Sequence, residues 1–503
     1  MTHQAACLAV LGTGSDVGKS VVATALCRIF ANRGLRVAPF KAQNMSNNSG
    51  VTPEGAEMGR AQIVQAEAAR TAPHCDMNPV LLKPVSDVGS QVVLNGTVWM
   101  DASSRSLYEK KEYLFTESQD ALDRLRRAHD LVILEGAGSC AEVNLMAGDI
   151  VNLRMAAYAE APVVLVADID RGGVFAQIVG TLACISPAQQ ERIGGFVINR
   201  FRGDLALFQP GIDWIEQRTG KQVFGVLPWY KHFRIESEDA VVIERSRPLH
   251  PEGDGPPAIA VIRLPHISNF TDFDPLDKLD GCQLVYLERP QALRPFRAVI
   301  LPGTKATRAD LQWLADTGWR DHLRNYAAAG GHLLGICGGY QMLGTRVCDP
   351  GGIEGEPGVT AGLGLLPVET VLQAPKTTTL TDFSWDGIAG KGYEIHMGRT
   401  DAPETCSLMA IQARNGGACA GRDGCVGANG RVVGTYMHGL FDTPAITRRW
   451  LAGIGLNQIK VDRLHGPAAR DQAYEQLAAH ALAHLDIEAL AALLPASLQE
   501  RMR

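Results

Sequence analysis

Cys337 stands in the run GHLLGICGGYQMLG, with Gly335 before it and Gly338 and Gly339 after it. An apolar strand that turns into a helix through glycines is the setting of a nucleophile elbow, whose strain only small neighbours tolerate. A thiol placed there is presented at the sheet edge, and the helix N-terminus favours its thiolate. The base it needs is expected at His438, which closes a strand in RVVGTYMHG, with His396 in GYEIHMG as the rival. Backbone N–H groups of Gly303, in LPGTKAT, and of Gly338 are the expected oxyanion donors. The chemistry implied is acyl transfer through a covalent thioester.

A second constellation lies at the other end of the chain. GTGSDVGKS, Gly12 to Ser20, follows a short apolar strand and opens a helical pattern. Glycines let backbone N–H groups approach phosphate oxygens, and the helix N-terminus adds partial positive charge. Thr13, Gly14, Ser15, Asp16, Val17, Gly18, Lys19 and Ser20 are therefore expected to hold ATP. Lys19 would reach the β- and γ-phosphates and the Ser20 hydroxyl would ligate Mg²⁺. The loop departs from the usual pattern: the position six before the lysine is Thr13, and the glycine sits one earlier, at Gly12. Carboxylates at the ends of later strands would complete a metal site: Glu135 after LVIL, and Asp168 after VVLVA. Lys41 and Lys83 fall near strand ends, where a cation could stabilise a transferring phosphoryl group. The polar run Asn44, Ser46, Asn47 and Asn48 could hydrogen-bond a polycarboxylate substrate.

Both constellations require parallel sheets to position them. The runs CLAVLG, RVAPF, DLVILE, PVVLVAD, GFVIN and QVFGVLP are short, apolar and rich in Val, Leu and Ile, as buried parallel strands are. Helical patterns separate them; Val21, Val22, Ala25, Leu26, Ile29 and Phe30 recur at helical spacing after the phosphate loop. The alternation restarts after the proline- and glycine-rich RSRPLHPEGDGPPA, with AIAVIRL, RAVILPG, GHLLGICGG and RVVGTYMHG. The expected architecture is two α/β domains, at 1–245 and 258–450, joined by a linker at 246–257. A helical tail at 451–503 follows, its segment from Asp471 to Leu494 expected as a helix pair.

The 503 residues are 46% apolar and 20% charged, which suits a globular chain with little disorder. A net charge of -6 supplies no global field for nucleic acid or an anionic membrane. No apolar run approaches the ~20 residues of a membrane span, and the N-terminus lacks a signal-peptide pattern. Eleven scattered cysteines without a C-x-x-C pair argue against a disulfide framework or zinc knuckle. A cytoplasmic enzyme, able to form oligomers, is expected.

Residues 258 to 445 resemble a class I (triad) glutamine amidotransferase domain, which implies that Cys337 attacks the glutamine side-chain amide and releases ammonia. That family commonly carries Glu two residues after its His, where this chain has Leu440. Glu394 and Asp442 are the remaining guesses for the carboxylate that orients His438. The N-terminal domain resembles the dethiobiotin-synthetase-like ATP-dependent enzymes, which implies Asn199 near the adenine and a carboxylate activated as an acyl phosphate. The whole chain is similar to the cobyric/cobyrinic acid amidotransferase family in PFKAQNMSNNS, EMGRAQIVQAEAA, MNPVLLKP, LEGAGSCAEVNL, DIDRGGVFA, INRFRGD, LPHISNFTDFDPL, PGTKAT and GYEIHMG. This resemblance implies ATP–Mg²⁺ and glutamine as co-substrates and a corrinoid polycarboxylate as acceptor. KAQNMSNNS points to the branch that amidates the b, d, e and g carboxylates of adenosylcobyrinic acid a,c-diamide; the sister branch amidates a and c of cobyrinic acid. A nucleotide-switched partitioning-type ATPase is the non-enzymatic alternative, disfavoured by an intact Cys337 and His438.

Overall fold

The computed structural model describes residues 4–85, 89–230, 255–427, 429–462 and 465–502. Of the expected linker only 255–257 are among them. In the first sheet the strands are β1 (Ala6–Gly12), β2 (Val37–Phe40), β3 (Leu131–Glu135), β4 (Val163–Asp168), β5 (Ile193–Phe201) and β6 (Gln222–Pro228). They lie in the order β6-β5-β4-β1-β3-β2, all parallel. Helix α1 (Lys19–Asn32) leaves the loop after β1. Because β1 lies between β3 and β4, the ends of those two strands flank the phosphate loop, at the point where ligands gather in open α/β sheets. Helix α2 (Arg60–Ala68) packs against α1.

The second sheet contains β7 (Ala258–Ile262), β8 (Gln283–Leu287), β9 (Phe296–Leu301), β10 (Leu333–Ile336), β11 (Cys425–Val426) and β12 (Val432–Thr435). Their order is β8-β7-β9-β10-β12-β11, parallel except for the β11–β12 pair. Cys337 follows β10 and opens helix α3 (Gly338–Leu343). Gly303 lies just past β9 and His438 just past β12, so three adjacent strand ends deliver the expected catalytic groups. The parallel strands of both domains therefore fall where the apolar runs put them.

Two of the smaller sheets lie outside the expected strand runs. One pairs Gln43–Met45, Val80–Pro84, Gly89–Leu94 and Thr97–Ser103; the other pairs Thr377–Trp385, Ile388–His396, Met409–Arg414 and Gly417–Asp423. The second of these meets the N-terminal domain at the turn between the short paired strands Ser49–Val51 and Glu57–Gly59, where the Thr378 hydroxyl donates to the Gly55 carbonyl at 2.7 Å. The tail also differs from a simple helix pair. Helix α4 (Pro467–His484) and two short helices, Ile487–Ala491 and Ala496–Arg501, run back over the N-terminal domain. Leu477, Ala478, Ala481 and Leu490 join a core with Leu26, Ile29 and Phe30 of α1. Fully buried Arg28 donates to Asp471 at 2.6 Å and Glu475 at 2.8 Å, which ties α4 to α1. This explains why α1 is apolar all round: one face meets the sheet and another meets the tail.

Candidate active site

The turn at Cys337 is strained, as an elbow demands: φ is 53° and ψ is -111°, at a residue that is not glycine. Close packing enforces it. A Cβ on Gly339 would lie 2.0 Å from the Leu301 carbonyl oxygen, and one on Gly338 would lie 2.5 Å from Thr304 Cγ2. The loop after β9, with Gly303, is thus pressed against the elbow. The thiol is buried and contacts the Ile395 carbonyl at 3.3 Å. A Cβ on Gly303 would stand 3.2 Å from His438 Cε1, so Gly303, Cys337 and His438 share one small space.

His438 is oriented by a carboxylate, but neither expected one. Its Nδ1 lies 2.6 Å from Asp272 Oδ2, while Asp272 Oδ1 accepts the Gly439 N–H at 3.0 Å. Glu394 is instead bonded by Arg414 and Thr381, and Asp442 by Arg470. The ring stacks on Tyr393 at 5.1 Å, and its backbone pairs with that residue at 2.9 and 3.1 Å. His438 Nε2 makes no hydrogen bond among the described residues, which leaves it available to a reacting group. Burial alone would lower the imidazole pKa. The Asp272 carboxylate and the Cys337 sulfur outweigh that and raise it to about 10. The rival, His396, stacks on Tyr436 and spends Nδ1 on the Gly398 carbonyl.

Asp272 lies 166 positions from His438, on a short turn at Phe270–Phe273. No spacing rule reaches across that distance. The signal in the sequence is that LPHISNFTDFDPL is long and carries two aspartates directly after a buried strand.

At the other centre, Gly18 takes φ 97° and a Cβ there would lie 1.9 Å from the Asn199 amide nitrogen. Asn199 is buried beneath the loop and donates to the Val17 carbonyl at 2.9 Å; its visible contact is with the loop itself. Lys19 lies back along the loop, donating to the carbonyls of Gly14 at 2.9 Å and Gly138 at 2.8 Å. The Ser20 hydroxyl donates to Glu135 Oε1 at 2.8 Å, and Lys41 reaches the same oxygen at 3.0 Å. Gln65 donates to Glu135 Oε2. Burial would raise the Glu135 carboxyl, but Lys41 and these hydrogen bonds prevail and hold it below the ordinary range. Ser20 and Glu135 thus present two hard oxygen donors side by side, a set that fits Mg²⁺. Asp168, the other expected ligand, is engaged by Arg200 at 2.8 Å, and Arg200 also pairs with Asp16 at 2.8 Å.

The structure separates the two expected lysines. Lys41 stands beside the phosphate loop, whereas Lys83 faces the other domain. A narrow cavity of about 40 Å³ is lined by Cys337, His396, Lys305 and Glu354, and also by Lys83 and Lys376. Buried Glu57 joins Lys83 and Lys376 across the boundary, accepting from each at 2.6 Å. Both ammonium groups hold Glu57 anionic against the opposing effect of burial, while burial pushes Lys376 down to about 7. Asn44 donates to Gln62 at 3.0 Å, Ser46 accepts the Asn48 N–H at 3.0 Å, and Asn47 Oδ1 is buried without a partner among the described residues.

Residues 8–242 match the model of the CobQ/CobB/MinD/ParA nucleotide binding domain, and 258–446 match that of the CobB/CobQ-like glutamine amidotransferase domain. The curated cobyric acid synthase of Chlorobium phaeobacteroides (strain DSM 266) is 50% identical over 493 residues, covering 96% of each chain. That of Chlorobaculum tepidum is 51% identical over 494 residues, 97% of each. The chain belongs to the cobyric acid synthase family. Membership of this family excludes the partitioning-type ATPase. Among the described residues no helix is long and apolar enough to cross a membrane.

Proposed function

We propose that this chain amidates the b, d, e and g carboxylates of adenosylcobyrinic acid a,c-diamide, using glutamine and ATP–Mg²⁺, to give adenosylcobyric acid. The observation that carries the reading is the cavity at Cys337, to whose lining the ATP-binding domain contributes Lys83. Nitrogen set free at the thiol is released against the domain that must use it.

In the first half-reaction the Cys337 proton already rests on the His438 ring, as the raised imidazole pKa implies, and the thiolate attacks the glutamine amide carbon. Asp272 fixes the tautomer and stabilises the imidazolium, as the raised pKa of His438 indicates. The N–H groups of Gly303 and Gly338 hold the oxyanion. His438 returns the proton to the leaving nitrogen, ammonia departs, and water then cleaves the γ-glutamyl thioester. In the second half-reaction a corrinoid carboxylate takes the γ-phosphoryl group of ATP held on residues 13–20. Ammonia attacks the acyl phosphate, phosphate leaves, and an amide remains. Lys19 and Lys41 offset charge on the phosphoryl oxygens. Mg²⁺, held by Ser20 and Glu135, would supply further charge neutralisation. The reaction belongs in the cytoplasm, with its soluble co-substrates.

Mass spectrometry of the a,c-diamide incubated with the protein, glutamine and ATP–Mg²⁺ tests this. Four successive carboxyl-to-amide mass shifts are expected. An unchanged corrinoid alongside glutamine hydrolysis would overturn the substrate assignment, and cobyrinic acid would be the acceptor to try next.

A further inference from the structure

The polar segment after β2 does something that neither half-reaction needs. Lys41, at its head, holds Glu135 beside Ser20. Its middle is pinned to the strand Val80–Pro84, where the Ser46 N–H donates to the Leu82 carbonyl at 3.0 Å. Its far end crosses into the glutaminase domain through two reciprocal bonds. Asn48 Oδ1 accepts the Phe270 N–H at 3.2 Å, and Asn269 Oδ1 accepts the Ser49 N–H at 3.0 Å. All four residues are buried. Two asparagine side chains each satisfy a backbone donor of the other domain that burial would otherwise leave unpaired.

The receiving residue is placed with care. Asn269 has φ 51° and ψ 39°, the left-handed region that asparagine tolerates better than most residues. Its carbonyl accepts the Asp272 N–H at 3.0 Å and so opens the turn that carries Asp272 to His438. On the same side, Ser268 N–H donates to the Gly303 carbonyl at 2.8 Å. The third member of the triad is thus fastened to Asn269, which the ATP-binding domain holds, and the oxyanion loop to Ser268, the residue before it.

We infer that Asn269 is a positioning residue that sets Asp272, and through it His438, according to where the ATP-binding domain holds segment 41–49. Glutamine cleavage is then fastest when that segment is in the arrangement seen here, so nitrogen is released in step with the ATP site. The inference rests on the proposed division into two half-reactions. Charge arriving beside Glu135 acts on Lys41, at one end of a nine-residue segment whose other end is bonded to Asn269. The coupling is a biased equilibrium of one element by two sites.

Asn269→Gly is the test, because it keeps the left-handed backbone and deletes only the acceptor for Ser49; Asn269→Ala adds backbone strain to the same deletion. Three quantities are measured in the full chain: glutamate release, amidation of the a,c-diamide with ammonium chloride replacing glutamine, and thermal midpoint. Glutamate release by N269G is expected to fall about 10- to 100-fold, through kcat more than KM. The alkaline limb of its pH profile should move to lower pH as Asp272 loosens. Ammonium-driven amidation should match the wild type. Unchanged glutamate release would overturn the inference. So would a parallel loss of ammonium-driven amidation with a lowered midpoint, which marks a merely structural residue. If wild-type protein amidates nothing with ammonium, the functional reading fails instead, and glutamate release with its pH profile still decides the role of Asn269.

Discussion

The two chemical centres of this chain are built in opposite ways. The phosphate loop is local: nine consecutive residues, from the last of one strand to the first two of one helix, form the cradle, and Glu135, Lys41 and Asn199 are added from elsewhere. The glutaminase centre is assembled from three distant segments, at 272, 337 and 438, two of which end strands while the third sits on a polar turn. A local site tolerates rearrangement around it. An assembled site is only as well placed as the segments that carry it, and here the turn that carries Asp272 starts at Asn269, which is bonded to the ATP-binding domain.

Reciprocal substitutions break this comparison most sharply. Cys337→Ala is expected to abolish glutamine-dependent amidation while ammonium salts still support it. Lys19→Ala should do the reverse, removing amidation with either nitrogen source and sparing basal glutamate release. Assays of both products in both variants check the pair; loss of both activities in either would show that the centres are not separable.

A smaller effect is expected from Asp272→Asn, which keeps the shape and removes the charge. Glutamate release should fall about 100-fold or more, since an amide neither fixes the correct tautomer nor stabilises the imidazolium. The sign of its pH dependence follows from the raised pKa. The imidazolium of His438 persists below about pH 10 in the wild type and is lost as pH rises through that value. Without Asp272 the loss comes at lower pH, so the alkaline limb of glutaminase activity shifts down. A pH profile of glutamate release reads the shift.

Legibility follows the same division. The parallel strands, the phosphate loop, the elbow and His438 could all be read because each is a contiguous pattern with a steric reason behind it. Asp272 could not, because its role exists only once β7 and β12 have brought residues 166 apart into contact. Lys83 illustrates the limit from the other side: its type and strand-end position suit phosphoryl chemistry, yet the register of its small sheet turns it toward Cys337. The tail was legible as helix but not as a cover for α1, because an alanine-rich face does not name its partner.

The smallest effect should come from Arg470→Ala. Arg470 on α4 bridges Asp442, which follows the His438 strand, and Glu67 on α2, at 3.0 and 3.1 Å. Its loss should cost about 2 kcal/mol, visible as a lower thermal midpoint, with both activities reduced less than twofold at 25 °C.

The central claim is that the carboxylate of Asp272 completes the glutaminase triad. The most direct measurement is an NMR titration of the His438 ring in protein labelled at histidine nitrogen, in the wild type and in Asp272→Asn. The account predicts an imidazole that titrates near pH 10 in the wild type and well below that in the variant. A His438 that titrates at the same pH in both would contradict it.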